Sequence, residues 1–420
     1  MYRQYVKQAF ASLWENPLAS FLTILGTALS VAMIMVLVLV YQVKTSSFSP
    51  VSERHRMLYI PIIEGLNSDR AGFGGGGLGI RIIRECFYPM TTPEAITAVS
   101  NQVVQRRTSV PGVKLVRECD VRQTDAAFWK VFDFRFISGA PITEEIFRSA
   151  IPAAIINDRV ARQFFGTTDV VGQTLQLDFI DFTIHGVVHS VSEAVTEAYG
   201  EIWIPYSLNK TLLQGDMAEG IGGQLELCIL ARSSADFDAI RQEAQNRITA
   251  FNAGQKEFKA NIWKQPITSV QKLFYFIQGD RMHGNFSGML ALAALFLFLP
   301  VFNLLSIIIS QIQKRRAEIG IRKAFGATNT TITRQILIEN LLITCIGSLI
   351  GLCLSVLFFY IAKDSLLERN DINLQLHMVV KPSLFLFTVA VCLVINLLSA
   401  GIPAWRASRA EVADSLHSNI

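Results

Sequence analysis

The chain has 420 residues, 51% of them hydrophobic and only 17% charged, against about a quarter charged in a typical soluble domain. Its formal net charge of +4 is small for that length, which argues against a nucleic-acid binder and turns attention to where the apolar and basic residues fall. Six cysteines form no CxxC pair, so no zinc or redox spacing is present.

Crossing about 30 Å of hydrocarbon takes roughly 20 mostly apolar residues as helix. Four runs qualify: residues 18–42, 289–312, 336–361 and 384–402. The first is too long for the apolar core of a cleaved signal and lacks a small-residue cleavage pattern after it, so it reads as an uncleaved anchor. Pro300 predicts a kink or a local break in hydrogen bonding within the second. Basic residues set the orientation. Arg3 and Lys7 precede the first run, Lys314, Arg315, Arg316, Arg322, Lys323 and Arg334 separate the second from the third, and Arg406 and Arg409 follow the fourth. The N-terminal segment 1–17, the loop 313–335 and the tail 403–420 are therefore expected in the cytoplasm. The short loop 362–383 and the long stretch 43–288 are expected outside it.

That long stretch reads as a folded α/β domain with stalk segments. Leu58–Ile63, Lys114–Arg117, Ala153–Ile156, Leu225–Ala231 and Lys259–Trp263 have strand character, and Pro93–Arg106 has helical spacing. Asp158–Phe165 predicts a helix capped by Asn157 and stopped at Gly166. Thr174–Phe179 and Phe182–Val188 alternate as a hairpin turned at Ile180–Asp181. Asp236–Phe251 predicts a helix. Strand, helix and strand near both ends suggest one subdomain built from the domain's two termini, with residues from about Phe128 to Pro205 inserted.

Two local patterns invite chemistry. Gly72, Gly74 and Gly77 fit GxGxxG, but a nucleotide fold needs a strand before that loop and a helix opening on it; a flexible loop is expected instead. His185 and His189 stand four apart in a strand pattern with no carboxylates arranged around them, and are read as surface histidines. Cys86, Cys119 and Cys228 could supply at most one disulfide and are expected as unpaired structural thiols.

The loop after the second run reads QIQKRRAEIGIRKAFGAT over Gln311–Thr328. It resembles the R-x-x-E-I-G-I-R-K-A-x-G-A signature of MacB/FtsX-type ABC transporter permeases, matched by Arg315, Glu318, Ile319, Gly320, Ile321, Arg322, Lys323, Ala324, Gly326 and Ala327. Asn16–Ala32, Asp158–Asp178 with HGVV and WIPY beyond it, and Pro403–Arg409 resemble further parts of that family in the right order. The resemblance implies a membrane α-helical fold of four transmembrane helices with a large α/β extracytoplasmic domain between helices 1 and 2, porter-like with an inserted subdomain.

It also implies that the loop is a coupling helix seated in a groove of an ATPase. Ile319, Ile321, Ala324 and Phe325 would give apolar contacts, Glu318, Arg322 and Lys323 charged ones, with Arg315, Gly320 and Gly326 in the same motif. No GxxxxGK[ST] occurs, so ATP and Mg are expected on a separate ABC-type ATPase subunit, with no catalytic residue, cofactor or metal in this chain. An ABC engine with two nucleotide-binding subunits implies a second permease copy or a paralogue. Gly347 and Gly351 in the third run, and Gly26 and Ser30 in the first, provide small-residue faces for helix packing. None of the runs carries a mid-membrane ionisable residue, which disfavours an ion-coupled carrier. The expected role is efflux of a periplasmic-side substrate by mechanical transmission from a bacterial inner membrane, in contact with the lipid bilayer, with a periplasmic adaptor and an outer-membrane channel as further partners. An FtsX-like regulator of a cell-wall hydrolase or sensor, and a lipoprotein-releasing permease, are the alternatives.

Overall fold

A computed structural model describes residues 47–67, 72–193, 195–214, 217–272 and 328–366, with single positions or short runs at 17, 21, 22, 24–29, 31–35, 325, 326, 386, 387, 389, 390 and 394. The chain divides into two compact units, one formed by Val43–Asn285 with Ser365–Asp371 and the other by Met1–Gln42, Phe286–Asp364 and Ile372–Ile420.

The first of these, the outer unit, opens with strands β1 (Met57–Ile60), β2 (Ile63–Leu66) and β3 (Gly72–Leu78), then a helical segment α1 at residues 80–87. Strands β4 (Ala95–Ser100), β5 (Val104–Ser109) and β6 (Val116–Thr124) follow, then α2 (Phe128–Val131), β7 (Phe136–Gly139), α3 (Glu144–Arg148), β8 (Ala153–Asn157) and α4 (Asp158–Phe165). The unit continues through β9 (Thr174–Leu177), β10 (Ile180–Val188), β11 (Ile202–Pro205), α5 (Lys210–Gln214), β12 (Gly222–Gly223) and β13 (Leu225–Leu230). It ends with α6 (Phe237–Ala253) and β14 (Lys259–Asn261).

Strand pairing makes two lobes. In the first, β13 pairs β4 on one side and β1 with β3 on the other, and β3 leads through β2 to β14. Residues from both ends of the unit build it, and α6 buries Ile240, Ala244, Ile248 and Phe251 in the same apolar cluster as Leu58, Leu78, Leu227 and Ile229. Those four helical positions recur at i, i+4, i+8 and i+11, one face of a 3.6-residue period. In the second lobe, β6, β5, β9, β10, β8 and β11 pair in turn, and β11 returns parallel to β6, closing a six-stranded ring. Cys119, Val121, Leu175, Leu177, Phe182, Ile184, Ile202 and Ile204 fill its core. One pair, Val99 opposite Thr124, joins the two sheets.

Local chemistry explains the elements that the sequence made legible. Asn157 accepts a hydrogen bond from the Val160 amide, and Gly166 takes φ +75 at the end of α4, the N-cap and left-handed stop that Asx and Gly residues supply. Four expectations are corrected. Pro93–Arg106 is β4 and the start of β5, not a helix: residues 97–100 are buried on both faces, so the alternation that marks a strand is absent. The insertion accordingly begins at β5, well before Phe128. Gly72–Gly79 is not a free loop, because Gly72–Leu78 is strand β3, paired with β2 and β13. The β9–β10 hairpin turns at Asp178–Phe179, with φ +48 and +69, two residues before the expected position.

In the other unit, α7 (Asn329–Leu366) starts before Ile336 and runs past Ile361. Its stretch Leu341–Phe358 is the one described helix long and apolar enough to cross a membrane. Positions 24–29 and 31–35 of the first run are helical, as are 386, 387, 389, 390 and 394 of the fourth. The second run, 289–312, lies outside the described residues, so the number of spans is carried by the sequence.

Candidate functional site

Of the coupling residues named from the sequence, Arg315, Glu318, Ile319, Gly320, Ile321, Arg322 and Lys323 lie outside the described residues. Phe325 and Gly326 are described. Phe325 is 88% exposed, and Gly326 turns the chain at φ +89, where a side chain would be strained. Thr328 then caps α7, its hydroxyl oxygen accepting from the Thr331 amide at 3.3 Å while the two hydroxyls pair at 2.8 Å. An exposed aromatic ring beside a glycine turn at a helix N-terminus presents apolar surface.

The small-residue face of α7 meets the first helical run. A Cβ built at Gly347 would stand 2.7 Å from the Thr27 Cβ, and one at Gly351 would stand 2.7 Å from the Ala28 carbonyl oxygen. Gly26, Thr27, Ala28 and Val31 are buried on one side, Thr344, Gly347, Ser348, Gly351 and Ser355 on the other. Backbones approach this closely in apolar surroundings where small residues remove the intervening side chains. Ser30 is outside the described residues.

The outer unit holds a group of charges that the sequence reading missed. Lys272 follows Pro266–Gln271, a stretch in which the Thr268 hydroxyl accepts from the Gln271 amide at 3.3 Å. Its Nζ donates to Glu226 on β13 at 2.8 Å and lies 2.6 Å from a carboxylate oxygen of Glu197, in the segment between β10 and β11. All three side chains are buried. The Tyr59 ring lies beneath the ammonium, 5.1 Å from its centroid, and Tyr59 exchanges both backbone hydrogen bonds with Ile267 at 2.8 and 2.9 Å. Burial pushes the Glu197 carboxyl up, but the Lys272 charge and hydrogen bond outweigh it and hold it at about 2. Burial would lower the Lys272 ammonium, and Glu197 with Glu226 more than offset that, raising it. For Glu226 burial prevails, aided by Glu197 against Lys272, and its carboxyl is raised. One cue was in the sequence: Glu226 interrupts the apolar strand LELCIL, and a carboxylate in such a place needs a buried partner.

Arg122 sits beside this group. Its guanidinium donates to the carbonyl oxygens of Tyr199 at 2.7 Å, Ser100 at 2.6 Å and Thr196. Glu201 completes the polar lining of the same segment, accepting from the Asp120 amide at 3.0 Å and pairing with Arg117. Among the described residues no group of three His, Cys, Asp or Glu is arranged to hold a metal. Cys86, Cys119 and Cys228 are free and buried, each in a different apolar cluster. Burial pushes the Cys86 thiol up to about 12.

Comparison with known proteins gives this architecture its class. The family model of the MacB-like periplasmic core domain matches residues 20–247, more than half of the chain. That of the FtsX-like permease C-terminal matches residues 290–412. The chain belongs to the MacB/FtsX-type family of ABC transporter permeases, membrane proteins with a periplasmic domain that work with an ATPase partner.

Among its relatives is the uncharacterized ABC transporter permease YvrN of Bacillus subtilis, 21% identical over 98% of this chain and 99% of that protein. YknZ of the same organism is 21% identical over 83% of this chain and 84% of its own length. The macrolide export ATP-binding/permease protein MacB of Escherichia coli O157:H7 is 24% identical over 69% of this chain, which spans 42% of MacB. The extracellular domain of YknZ, solved as a crystal structure, aligns with 49% of this chain and 99% of that one at a TM-score of 0.35 and 14% identity.

Proposed function

We propose that this chain is the transmembrane subunit of an ABC transporter in which a separate ATPase chain hydrolyses ATP and the membrane helices pass the resulting motion to the outer unit. Its output is extrusion of a molecule taken from the periplasmic side, and it works with a second permease copy or a paralogue. The observation that carries this reading is the order of parts in one chain: the core domain, then the permease C-terminal segment with the signature run Arg315–Ala327 inside it. The collinear match to YvrN over nearly all of both chains supports a permease whose ATPase is a different polypeptide. Export is read from the names of relatives that carry the ATP-binding part in the same chain, such as MacB and the pyoverdine export protein PvdT.

The exposed Phe325 ring supports a docking role for the run's C-terminal end, because an aromatic anchor is what a groove on a partner buries best. The test is affinity capture of the chain from membranes with mass spectrometry of its companions. An ABC ATPase should accompany the wild type and be depleted with Phe325→Asp, Glu318→Ala and Arg322→Ala. Recovery of no ATPase under gentle crosslinking would end the reading.

A further inference from the structure

We propose that Lys272 is a pin: a positioning residue through which the chain running on toward the second apolar run grips both lobes of the outer unit at once. The inference deepens the proposed function and rests on it for its purpose, since a pin matters only if the helices move the outer unit. Its geometry stands by itself.

Lys272 lies in the stretch of sequence that leads out of the outer unit toward the second apolar run, residues 289–312. On one side its ammonium is bonded to Glu226. That residue lies on β13, the strand to which β4, β1 and β3 all pair. On the other side it is bonded to Glu197, in the segment 189–201 that links two strands of the closed ring. This segment is itself tied down along its length. Val191, Val195 and Ala198 are buried among Phe128, Phe132 and Trp203. Trp203 donates its indole N–H to the Ala198 carbonyl oxygen at 3.0 Å. Arg122 of β6 holds the carbonyl oxygens of Thr196 and Tyr199, and the Tyr199 hydroxyl donates to Asp120, also on β6, at 2.7 Å. A displacement of Lys272 therefore reaches β13 through one carboxylate, and β6 and β11 through the other. Among the described residues the strand pairing between the two sheets is the single pair Val99–Thr124, and Lys272 adds to it a side-chain link that reaches both lobes.

The choice of charges fits a device for geometry better than one for stability. A buried ion pair is often no more stabilising than apolar residues of the same volume, but breaking it by removing one partner strands the other charge. A methionine at this position would fill the space. A lysine between two carboxylates fixes where the ammonium must sit, and the Tyr59–Ile267 backbone pair fixes the approach of its chain.

The test is hydrogen–deuterium exchange of the full chain in lipid nanodiscs, comparing wild type with Lys272→Met, Lys272→Arg and Glu197→Gln. A pin predicts that Lys272→Met raises exchange at least roughly tenfold in both 266–272 and 189–201, leaving the β9–β10 hairpin unchanged, and that Lys272→Arg restores most of the protection. Glu197→Gln keeps the Lys272–Glu226 pair and should loosen 189–201 alone, which serves if Lys272→Met does not accumulate. A rise confined to 266–272 in Lys272→Met, or no rise at 189–201 in Glu197→Gln, overturns the pin. Failure of the ATPase reading is seen separately, as absence of an ATPase from the wild-type capture, and leaves the exchange result standing.

Discussion

The phenol oxygens of Tyr88 and Tyr206 lie 2.8 Å apart, and Tyr88 donates its own hydroxyl proton to the buried carboxylate of Asp125 at 2.7 Å. Tyr88 follows α1 in the first lobe, Tyr206 leaves the last strand of the ring, and Asp125 follows β6. The same carboxylate accepts from the Thr97 hydroxyl, the Ala98 amide at 2.9 Å and the Phe128 amide at 2.9 Å. One acceptor thus satisfies donors from both lobes.

Asp125→Ala leaves those donors buried without partners, and each such group costs about 1–3 kcal/mol. The outer unit should lose roughly 3–5 kcal/mol of unfolding free energy, read by urea titration of the full chain with tryptophan fluorescence. Tyr88→Phe removes one link and should cost about 1 kcal/mol. A loss below about 1 kcal/mol for Asp125→Ala would show that water replaces the carboxylate.

The depressed Glu197 carboxyl makes a pH prediction of definite sign. Its folded value of about 2 lies below the ordinary 4.5, so its contribution is present above pH 4.5 and is lost as pH falls toward 2. The raised Glu226 acts oppositely, regaining stability as it is protonated. The melting temperature of the outer unit should therefore drop between about pH 4.5 and 2 in the wild type. The drop should be shallower in Glu197→Gln, and an unchanged drop would place the acid-sensitive group elsewhere.

Two glycines should respond to alanine with opposite signs. A Cβ at Gly79 would stand 2.2 Å from the Gly220 carbonyl oxygen and 2.8 Å from that of Gly222. Both contacts are backbone, so Gly79→Ala should cost about 1–3 kcal/mol by overpacking. Gly254, after α6, has φ −89 and a nearest contact at 3.5 Å. Gly254→Ala should add about 0.4–1 kcal/mol by restricting the unfolded chain. Thermal unfolding of the two variants side by side decides both.

In the membrane unit, Gly351→Ile inserts a branched side chain where the Ala28 carbonyl oxygen and the Val31 side chain already lie. The first helical run and α7 must separate, and the full chain in detergent should show a lower melting temperature. Leu349→Ile, on an exposed position of the same helix, should leave it within about a degree.

What the sequence made legible follows from how local the controlling chemistry is. The α4 cap and stop are written within ten residues, so Asn157 and Gly166 could be read directly. The Arg315–Ala327 motif is likewise contiguous, and the family could be read from it. By contrast, β4 is buried on both faces and its spacing imitates a helix. The glycine strand β3 has almost no side chains from which a pattern could be drawn. The Lys272–Glu197–Glu226 group joins positions far apart in sequence, and a lone lysine before an aromatic stretch does not announce its partners. The expected start of the insertion is late for the same reason, since the apparent helix Pro93–Arg106 runs across the boundary between β4 and β5.

The three buried thiols of the outer unit are separated by the packing itself: Cys86, Cys228 and Cys119 each belong to a different apolar cluster. No two of them can meet without dismantling a core. Burial also raises all three thiols, so the reactive thiolate is scarce. The thiols of the unit are thus kept from pairing with one another whatever the oxidising power of the surroundings, and the sulfur it does expose to peroxide is the thioether of Met217.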